Sequence, residues 1–186
     1  MRIITGTAKG TKLFTLDGLN TRPTSERAKE GIFSILQFEI EGRSFLDLFS
    51  GSGQMGLEAL SRGAKEAVLV DRAKDAAEII RKNAVKSHLS ENCEVVIDDS
   101  LSYLKKCSGR KKFDIIFIDP PYAGTLVNDS VMLIREGGLV KPTSYIVCES
   151  DREDVIDTKN LSGFEIIKKV KYGVAHILVL HPTEEI

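Results

Sequence analysis

Phe113-Asp-Ile-Ile-Phe-Ile-Asp-Pro-Pro-Tyr122 is the stretch on which the fold turns. Its first six residues are mostly apolar, three of them Ile, and they do not alternate with polar ones. A continuous apolar run of strand length predicts a strand buried on both faces, as in the middle of a parallel sheet. Pro120 and Pro121 have no N–H for a ladder and hold φ at about −65°, so the strand must stop at Asp119. A carboxylate, two stiff backbone carbonyls and an aromatic ring are then presented together at a strand's carboxyl end. In open α/β sheets that edge is where ligands bind.

Such a grouping suits transfer of a group to an amine. The lone pair of an exocyclic NH2 on a nucleobase is delocalised into the ring, which makes the nitrogen a poor nucleophile. Two acceptors, the Asp119 carboxylate and the Pro120 carbonyl, can hold both N–H bonds and turn the lone pair out of the ring plane, and Tyr122 can stack on the base. The plainer reading of the same residues is a strand closed by a Pro-Pro turn with a capping Asp. A second motif upstream decides between the two.

That motif is Phe45-Leu-Asp-Leu-Phe-Ser-Gly-Ser-Gly-Gln-Met-Gly56. An apolar strand runs into Gly51 and Gly53, and a helix opens at Gln54; glycines at such a turn let backbone approach a ligand closely. The pattern G-x-G-x-x-G is satisfied but is weak alone. Asp47, at the strand end just before the glycines, is out of place beside a pyrophosphate and in place beside a cationic amino group. Glu66-Ala-Val-Leu-Val-Asp71 is a further strand, and its terminal acid lies twenty residues after Gly51, an offset at which a carboxylate accepts from ribose hydroxyls. Cys93-Glu-Val-Val-Ile-Asp-Asp-Ser100 predicts a third strand ending in Asp98-Asp99. One of these acids, Asp99 in preference to Asp98, can accept from an adenine amino group, and the same residue is equally fit to cap a helix over 100–106.

The rest of the chain fits around these strands. Residues 2–15 alternate weakly about a Gly/Lys turn and predict a β-hairpin. Thr24 or Ser25 caps a helix through Ala28, Ile32, Phe33, Ile35 and Leu36, at whose entrance Arg22 and Thr24 are placed to meet a carboxylate. Residues 74–88 and 126–136 read as helices, Tyr145–Cys148 as a buried strand ending near Glu149, and 164–170 with 174–180 as a closing hairpin. From residue 1 to 29 six basic residues, Arg2, Lys9, Lys12, Arg22, Arg27 and Lys29, face only Asp17 and Glu26. In a chain of net charge −1 that local excess favours a phosphate-contacting arm over an ordinary solvated surface.

At 186 residues, 42% hydrophobic and 28% charged, the composition is that of a globular domain with a sizeable core. No apolar run approaches membrane-span length, and Met1-Arg-Ile-Ile-Thr-Gly6 lacks the apolar core of a signal peptide. Cys93, Cys107 and Cys148 are scattered, odd in number and without metal-ligand spacing. They read as reduced thiols of a cytoplasmic protein, with no metal expected.

Taken together, the hairpin ending near Gly6, Arg22-Pro-Thr-Ser-Glu-Arg27, Leu46-Asp-Leu-Phe-Ser-Gly-Ser-Gly53, Glu58-Ala-Leu-Ser-Arg-Gly63, Asp119-Pro-Pro-Tyr122 and Tyr172-Gly173 resemble the bacterial 16S rRNA guanine-N2 methyltransferases, the RsmD family. The resemblance is colinear over nearly the whole chain. It implies a Rossmann-like α/β fold, the seven-stranded sheet of methyltransferases that use S-adenosylmethionine (SAM), mostly parallel with an antiparallel carboxyl-terminal hairpin. An amino-terminal β-hairpin arm over 1–20 would precede a methyltransferase domain over 21–186. It further implies SAM as donor, a guanine N2 of small-subunit rRNA as acceptor and the assembling 30S particle as partner. By the same resemblance Asp119, Pro120, Pro121 and Tyr122 serve the target base. The donor falls to Arg22, Thr24, Asp47, Phe49, Gly51, Gly53, Asp71, Arg72, Asp99 and Ser100, and the RNA backbone to Lys9, Lys12 and Arg27. His88, His176 and His181 are far from these motifs and read as structural or surface residues. Two alternatives fit the same residues less well: an adenine-N6 methyltransferase of DNA or RNA, for which a DNA target-recognition domain has no room, and a non-catalytic SAM-binding assembly factor, which would not need an intact Asp119–Tyr122.

Overall fold

Phe113–Ile118 forms a strand buried at every position, as its mostly apolar run requires, with Asp114 accepting from Ser44 and Lys141, and it is the fourth of seven in the sheet. The computed structural model describes residues 1–15, 24–121, 125–153, 155–157 and 161–183. In chain order the elements are α1 (Glu26–Ile35), β1 (Ser44–Asp47), α2 (Gln54–Ser61), β2 (Glu66–Asp71), α3 (Lys74–Lys86), β3 (Cys93–Ile97), α4 (Ser100–Cys107), β4 (Phe113–Ile118), α5 (Leu126–Glu136), β5 (Val140–Ser150), β6 (Phe164–Tyr172) and β7 (Ala175–Pro182). The strands make one sheet in the order β3-β2-β1-β4-β5-β7-β6. β1 to β5 pair in parallel, and β7 runs antiparallel to both of its neighbours. This is the mostly parallel sheet with a reversed terminal hairpin that the sequence led us to expect.

Side-chain parity sorts the core into two layers. Phe45, Leu69, Ile115, Phe117 and Val147 point to one face, where they meet Ile32 and Phe33 of α1, Leu57 and Leu60 of α2 and Ile80 of α3. Leu46, Val68, Ile116, Ile118 and Ile146 point to the other, against Leu104 of α4 and Val127, Val131 and Ile134 of α5. Strands covered on both faces need apolar residues at nearly every position, which is why the runs at 115–118 and 67–70 do not alternate. Strand order reverses between β1 and β4, so the crevice at their carboxyl ends is the topological switch point where such sheets bind ligands.

The amino-terminal segment folds back on itself through an antiparallel pairing shorter than two regular strands would make. Residues 1–13 double back around one antiparallel bridge, Arg2 to Lys12, with Ile3 N–H donating to the Thr11 carbonyl at 3.0 Å, Gly10 N–H to the Ile3 carbonyl at 2.8 Å and Leu13 N–H to the Met1 carbonyl at 3.2 Å. Other backbone donors of the segment go to α2: Ile4 and Thr5 N–H donate to the Glu58 carboxylate at 2.7 and 3.0 Å, and Ala8 N–H donates to the Ser61 hydroxyl at 2.9 Å. Ile3, Ala8 and Leu13 are buried in the same layer as α1 and α2. Under them Lys29 and Glu58, both fully buried, form an ion pair at 3.5 Å, and Arg62 reaches Glu58 at 2.8 Å. At the far end of the chain the Tyr172 ring lies against α1 at Gly31, where a Cβ would stand 2.1 Å from a ring carbon.

Candidate active site

The site begins where β1 ends. Asp47 is 1% exposed, beneath the loop that carries Ser50-Gly-Ser-Gly53. Gly51 and Gly53 hold φ of 53° and 79°, a left-handed turn that favours glycine. A Cβ at Gly53 would lie 2.9 Å from Leu69, whereas at Gly51 it would meet nothing within 4 Å. Gly53 therefore lets α2 sit close on β2, and Gly51 leaves open space above the loop. Burial pushes the Asp47 carboxyl up to about 7; the backbone N–H groups of Phe49 and Gly56 oppose this, and the Asp71 charge adds to it. Asp47 Oδ1 has no hydrogen-bond partner, and neither does the buried Gln54 Oε1. The Gln54 amide nitrogen donates to the Thr24 carbonyl at 3.2 Å, which fixes Oε1 as the acceptor end. Two buried acceptors at one loop lack a donor, and a group bearing N–H bonds and positive charge is what satisfies them.

Asp71 closes β2. Its Oδ2 accepts from Gly51 N–H at 2.9 Å and its Oδ1 from Ala73 N–H at 2.9 Å. The carboxylate thus ties the glycine loop to the start of α3 and keeps lone pairs for a further donor. Arg72 beside it is exposed, and Phe49 is half-buried against the α4 and α5 layer. The two acids after β3 have separate engagements. Asp98 pairs with Lys106 at 2.7 Å. Asp99 is the N-cap of α4, accepting from Ser102 N–H at 2.9 Å. Ser100 is buried and its hydroxyl donates to the Leu48 carbonyl at 2.5 Å, so this side chain holds α4 against the end of β1.

Across the switch point stands Asp119. It shares parity with Ile115 and Phe117 and so projects toward the side of the sheet that carries α1 and α2. Pro120 is buried and Pro121 exposed. Thr24, buried just ahead of the Ser25 cap of α1, places its hydroxyl 3.2 Å from Asp119 Oδ2 and 3.0 Å from Glu149 Oε2. Burial and the neighbouring Glu149 charge push Asp119 well above the usual carboxylate range, against the Thr24 hydrogen bond, and the Asp47 charge adds to the rise. Asp47 and Asp119 thus feel one another across a single crevice. Sequence reasoning singled out neither Gln54 nor Glu149 as a functional residue. Glu149 was legible only through register: Ile118 pairs with Cys148, so the next residue of each strand emerges beside the other.

Arg22 and Tyr122 lie outside the described residues. Lys9, Lys12 and Arg27 are exposed, Lys9 and Lys12 on the amino-terminal segment and Arg27 on α1. Burial pushes the Cys93 thiol up to about 11 and the Cys148 thiol up to about 12, which keeps both protonated and unreactive near neutral pH.

A family model described as Conserved hypothetical protein 95 matches residues 1–181. The chain belongs to that family. This is the RsmD family to which the motifs pointed, a family of SAM-dependent rRNA methyltransferases. Ribosomal RNA small subunit methyltransferase D of Haemophilus influenzae is 36% identical over 175 residues, covering 94% of this chain and 90% of that protein. Among solved structures, "Putative methyltransferase yhhF from Escherichia coli" superposes with a TM-score of 0.88 at 30% identity, covering 100% of this chain and 99% of that one. An RNA methyltransferase from Salinibacter ruber, solved in complex with S-adenosyl-L-homocysteine, shares the fold at a TM-score of 0.67 and 16% identity, covering 89% of this chain and 96% of that one. No helix among the described residues is long and apolar enough to cross a membrane.

Proposed function

We propose that this RsmD-family chain transfers a methyl group from SAM to the exocyclic N2 of a guanine in small-subunit rRNA, on the assembling 30S particle in the cytoplasm. The observation that carries the reading is the carboxylate of Asp119, followed by the stiff Pro120 carbonyl, at the β1/β4 crevice and within electrostatic reach of Asp47. SAM supplies an electrophilic methyl on a sulfonium sulfur. The donor-poor acceptors Asp47 Oδ1 and Gln54 Oε1 suit its methionine ammonium, the open space at Gly51 admits its backbone, and Asp71 and Asp99 have carboxylate oxygens for the ribose and adenine. Arg22, Thr24, Phe49, Arg72 and Ser100 complete the cofactor side of the proposal.

On the acceptor side the base must leave any stack to reach the crevice, and Tyr122 replaces the stacking it loses. Asp119 and the Pro120 carbonyl hold the amine N–H bonds, aim the nitrogen lone pair and stabilise the positive charge that develops on nitrogen. No separate strong base is needed, because a methylated ring amine becomes acidic and sheds its proton to Asp119 or water.

The direct test is tritiated methyl transfer to 30S particles, free 16S rRNA and duplex DNA in parallel, with mass spectrometry of the labelled nucleoside. N2-methylguanosine from the ribosomal substrates is expected; N6-methyladenosine, or label in DNA alone, overturns the assignment. In the same system Lys9→Gln with Lys12→Gln should flatten the log–log salt dependence of RNA binding by about 0.7–0.9 for each phosphate that is no longer neutralised. An unchanged slope removes these two lysines from the interface.

Cofactor affinity should also depend on pH. Asp47 attracts the methionine ammonium only when ionised, and its carboxyl sits at about 7 in the free protein. The attraction is present above that pH and is lost as pH falls through it, because the proton competes with the ligand. Between pH 7.5 and 6, SAM affinity should fall by up to about tenfold. Calorimetric titration checks this, with Asp47→Asn expected to bind more weakly and with a flatter pH response; equal slopes in the two proteins would remove Asp47 from the ammonium site.

A further inference from the structure

We infer that Glu149 is a positioning residue of the acceptor pocket, sharing one proton with Asp119 through the Thr24 hydroxyl. This deepens the methyl-transfer reading and rests on it for its chemistry, though not for its geometry. Asp119 and Glu149 follow the paired residues Ile118 and Cys148 of adjacent parallel strands, so the two carboxyls are delivered side by side by the sheet itself. Thr24 Oγ1 lies 3.2 Å from one and 3.0 Å from the other. A hydroxyl has a single proton and can donate to only one of them. Toward the other it must accept, and an acid that donates to it must itself be protonated. The arrangement is therefore a chain of carboxyl, hydroxyl and carboxylate that carries one negative charge.

The surroundings favour that state. Among the described residues, Asp47 of β1 adds negative charge beside Asp119 and is itself faced by Asp71 of β2. From the start of α2 the neutral Gln54 amide holds the Thr24 carbonyl and so fixes where the bridging hydroxyl stands. Glu149 is 8% exposed, and two ionised carboxylates confined together would each disfavour the other's charge. The direction in which Asp119 is pushed, upward through burial and through Glu149, agrees with the geometry. Such a pair titrates as a unit and not as two separate acids.

A single negative charge matches the reaction. As the bond from N2 to the methyl carbon forms, the carbon–sulfur bond breaks with its electron pair going to sulfur, and the sulfonium becomes a neutral thioether. The proton leaving N2 enters the carboxyl pair, which passes from singly to doubly protonated and returns that proton to water once product departs. Charge in the pocket is balanced before and after the step. A neutral pair would have no anionic acceptor for the amine.

The test is a ¹³C NMR titration of the Asp and Glu carboxyls in the free full-length protein, in wild type, Glu149→Gln and Asp119→Asn. In wild type one carboxyl of the pair is expected to keep its proton well above the ordinary carboxylate range. In Glu149→Gln the midpoint of Asp119 should fall by at least about one pH unit, a tenfold change in proton affinity, and Asp119→Asn should lower Glu149 in the same way. An Asp119 midpoint unchanged by Glu149→Gln means that burial alone raises it and overturns the shared proton. In methyl transfer, Glu149→Gln should lower kcat tenfold or more with cofactor affinity intact; wild-type kcat overturns the positioning role. Because the titration needs no substrate, a wild-type protein that transfers no methyl overturns the proposed function and leaves the shared proton to be judged on the titration.

Discussion

Asp119→Ala is expected to bind SAM with wild-type affinity and to transfer methyl at least about a hundredfold more slowly, the scale set by removing one preorganised group that stabilises developing charge. The acidic cofactor contacts proposed above, Asp47, Asp71 and Asp99, stand at the ends of β1, β2 and β3, whereas Asp119 belongs to β4, and Thr24 keeps its Glu149 partner when Asp119 is truncated. Thermal stability should hold or rise in this variant. Asp119 is buried beside Glu149 and Asp47, where burial and neighbouring charge both disfavour its ionised form, and truncation removes that cost while the Thr24 hydroxyl keeps its 3.0 Å contact to Glu149. A protein that is at least as stable and binds cofactor, yet is slow, would place the defect in chemistry. Transfer near the wild-type rate would remove Asp119 from the reaction, and a lower melting temperature would contradict the cost of burying it there.

Glu58→Ala should cost the protein a large share of its stability. The Glu58 carboxylate is fully buried and accepts from Ile4 N–H at 2.7 Å, Thr5 N–H at 3.0 Å and Arg62 Nε at 2.8 Å, with Lys29 Nζ at 3.5 Å. Lys29 in turn donates to the Arg2 carbonyl at 2.6 Å. Truncation leaves a buried ammonium without its counter-charge and two amide donors without acceptors, a loss of about 3–5 kcal/mol from a total that in domains of this kind is about 5–15 kcal/mol. Urea unfolding should show a correspondingly lower midpoint; a change under about 1 kcal/mol would mean that the network is replaceable by water. The consequence reaches the site, because the segment held by Glu58 continues to Phe14, whose N–H donates to Asn83 Oδ1, and the Asn83 amide also holds the Ser52 carbonyl of the glycine loop. Loosening residues 1–14 therefore removes one support of the loop that the cofactor is proposed to meet.

Of these two acids, one was conspicuous in the sequence and the other was not, and the difference is physical. Asp119 stands between a buried apolar run and two prolines, so its place at a strand end follows from local rules: prolines end ladders, and unbroken apolar runs lie inside. The glycine turn at 51–53, the acids at 47 and 71 and the closing hairpin are local in the same sense, and with the order of strands and helices they were enough for the fold. Glu58 is one charged residue on a helix and by composition belongs in solvent. Only the arrival of residues 3–5 and Lys29, distant in sequence, makes its burial tolerable. The pairing of Met1–Ile3 with Thr11–Leu13 follows from local alternation, but alternation cannot reveal that α2 takes the donors of Ile4, Thr5 and Ala8. Glu149 was visible as the end of a strand, but its partnership with Asp119 depends on the register of β4 against β5 and on where α1 delivers Thr24.

The amino-acid sequence by itself determined the strand ends, the turn that opens α2 and the family of folds, because each follows from hydrogen-bonding capacity, backbone freedom and apolar spacing within a few residues. Tertiary structure alone decided which carboxylates share a crevice, which of them a hydroxyl joins and which buried acid clamps the amino terminus. Those are pairings between segments far apart in the chain, and their energies depend on distance, burial and neighbouring charge that no local pattern encodes.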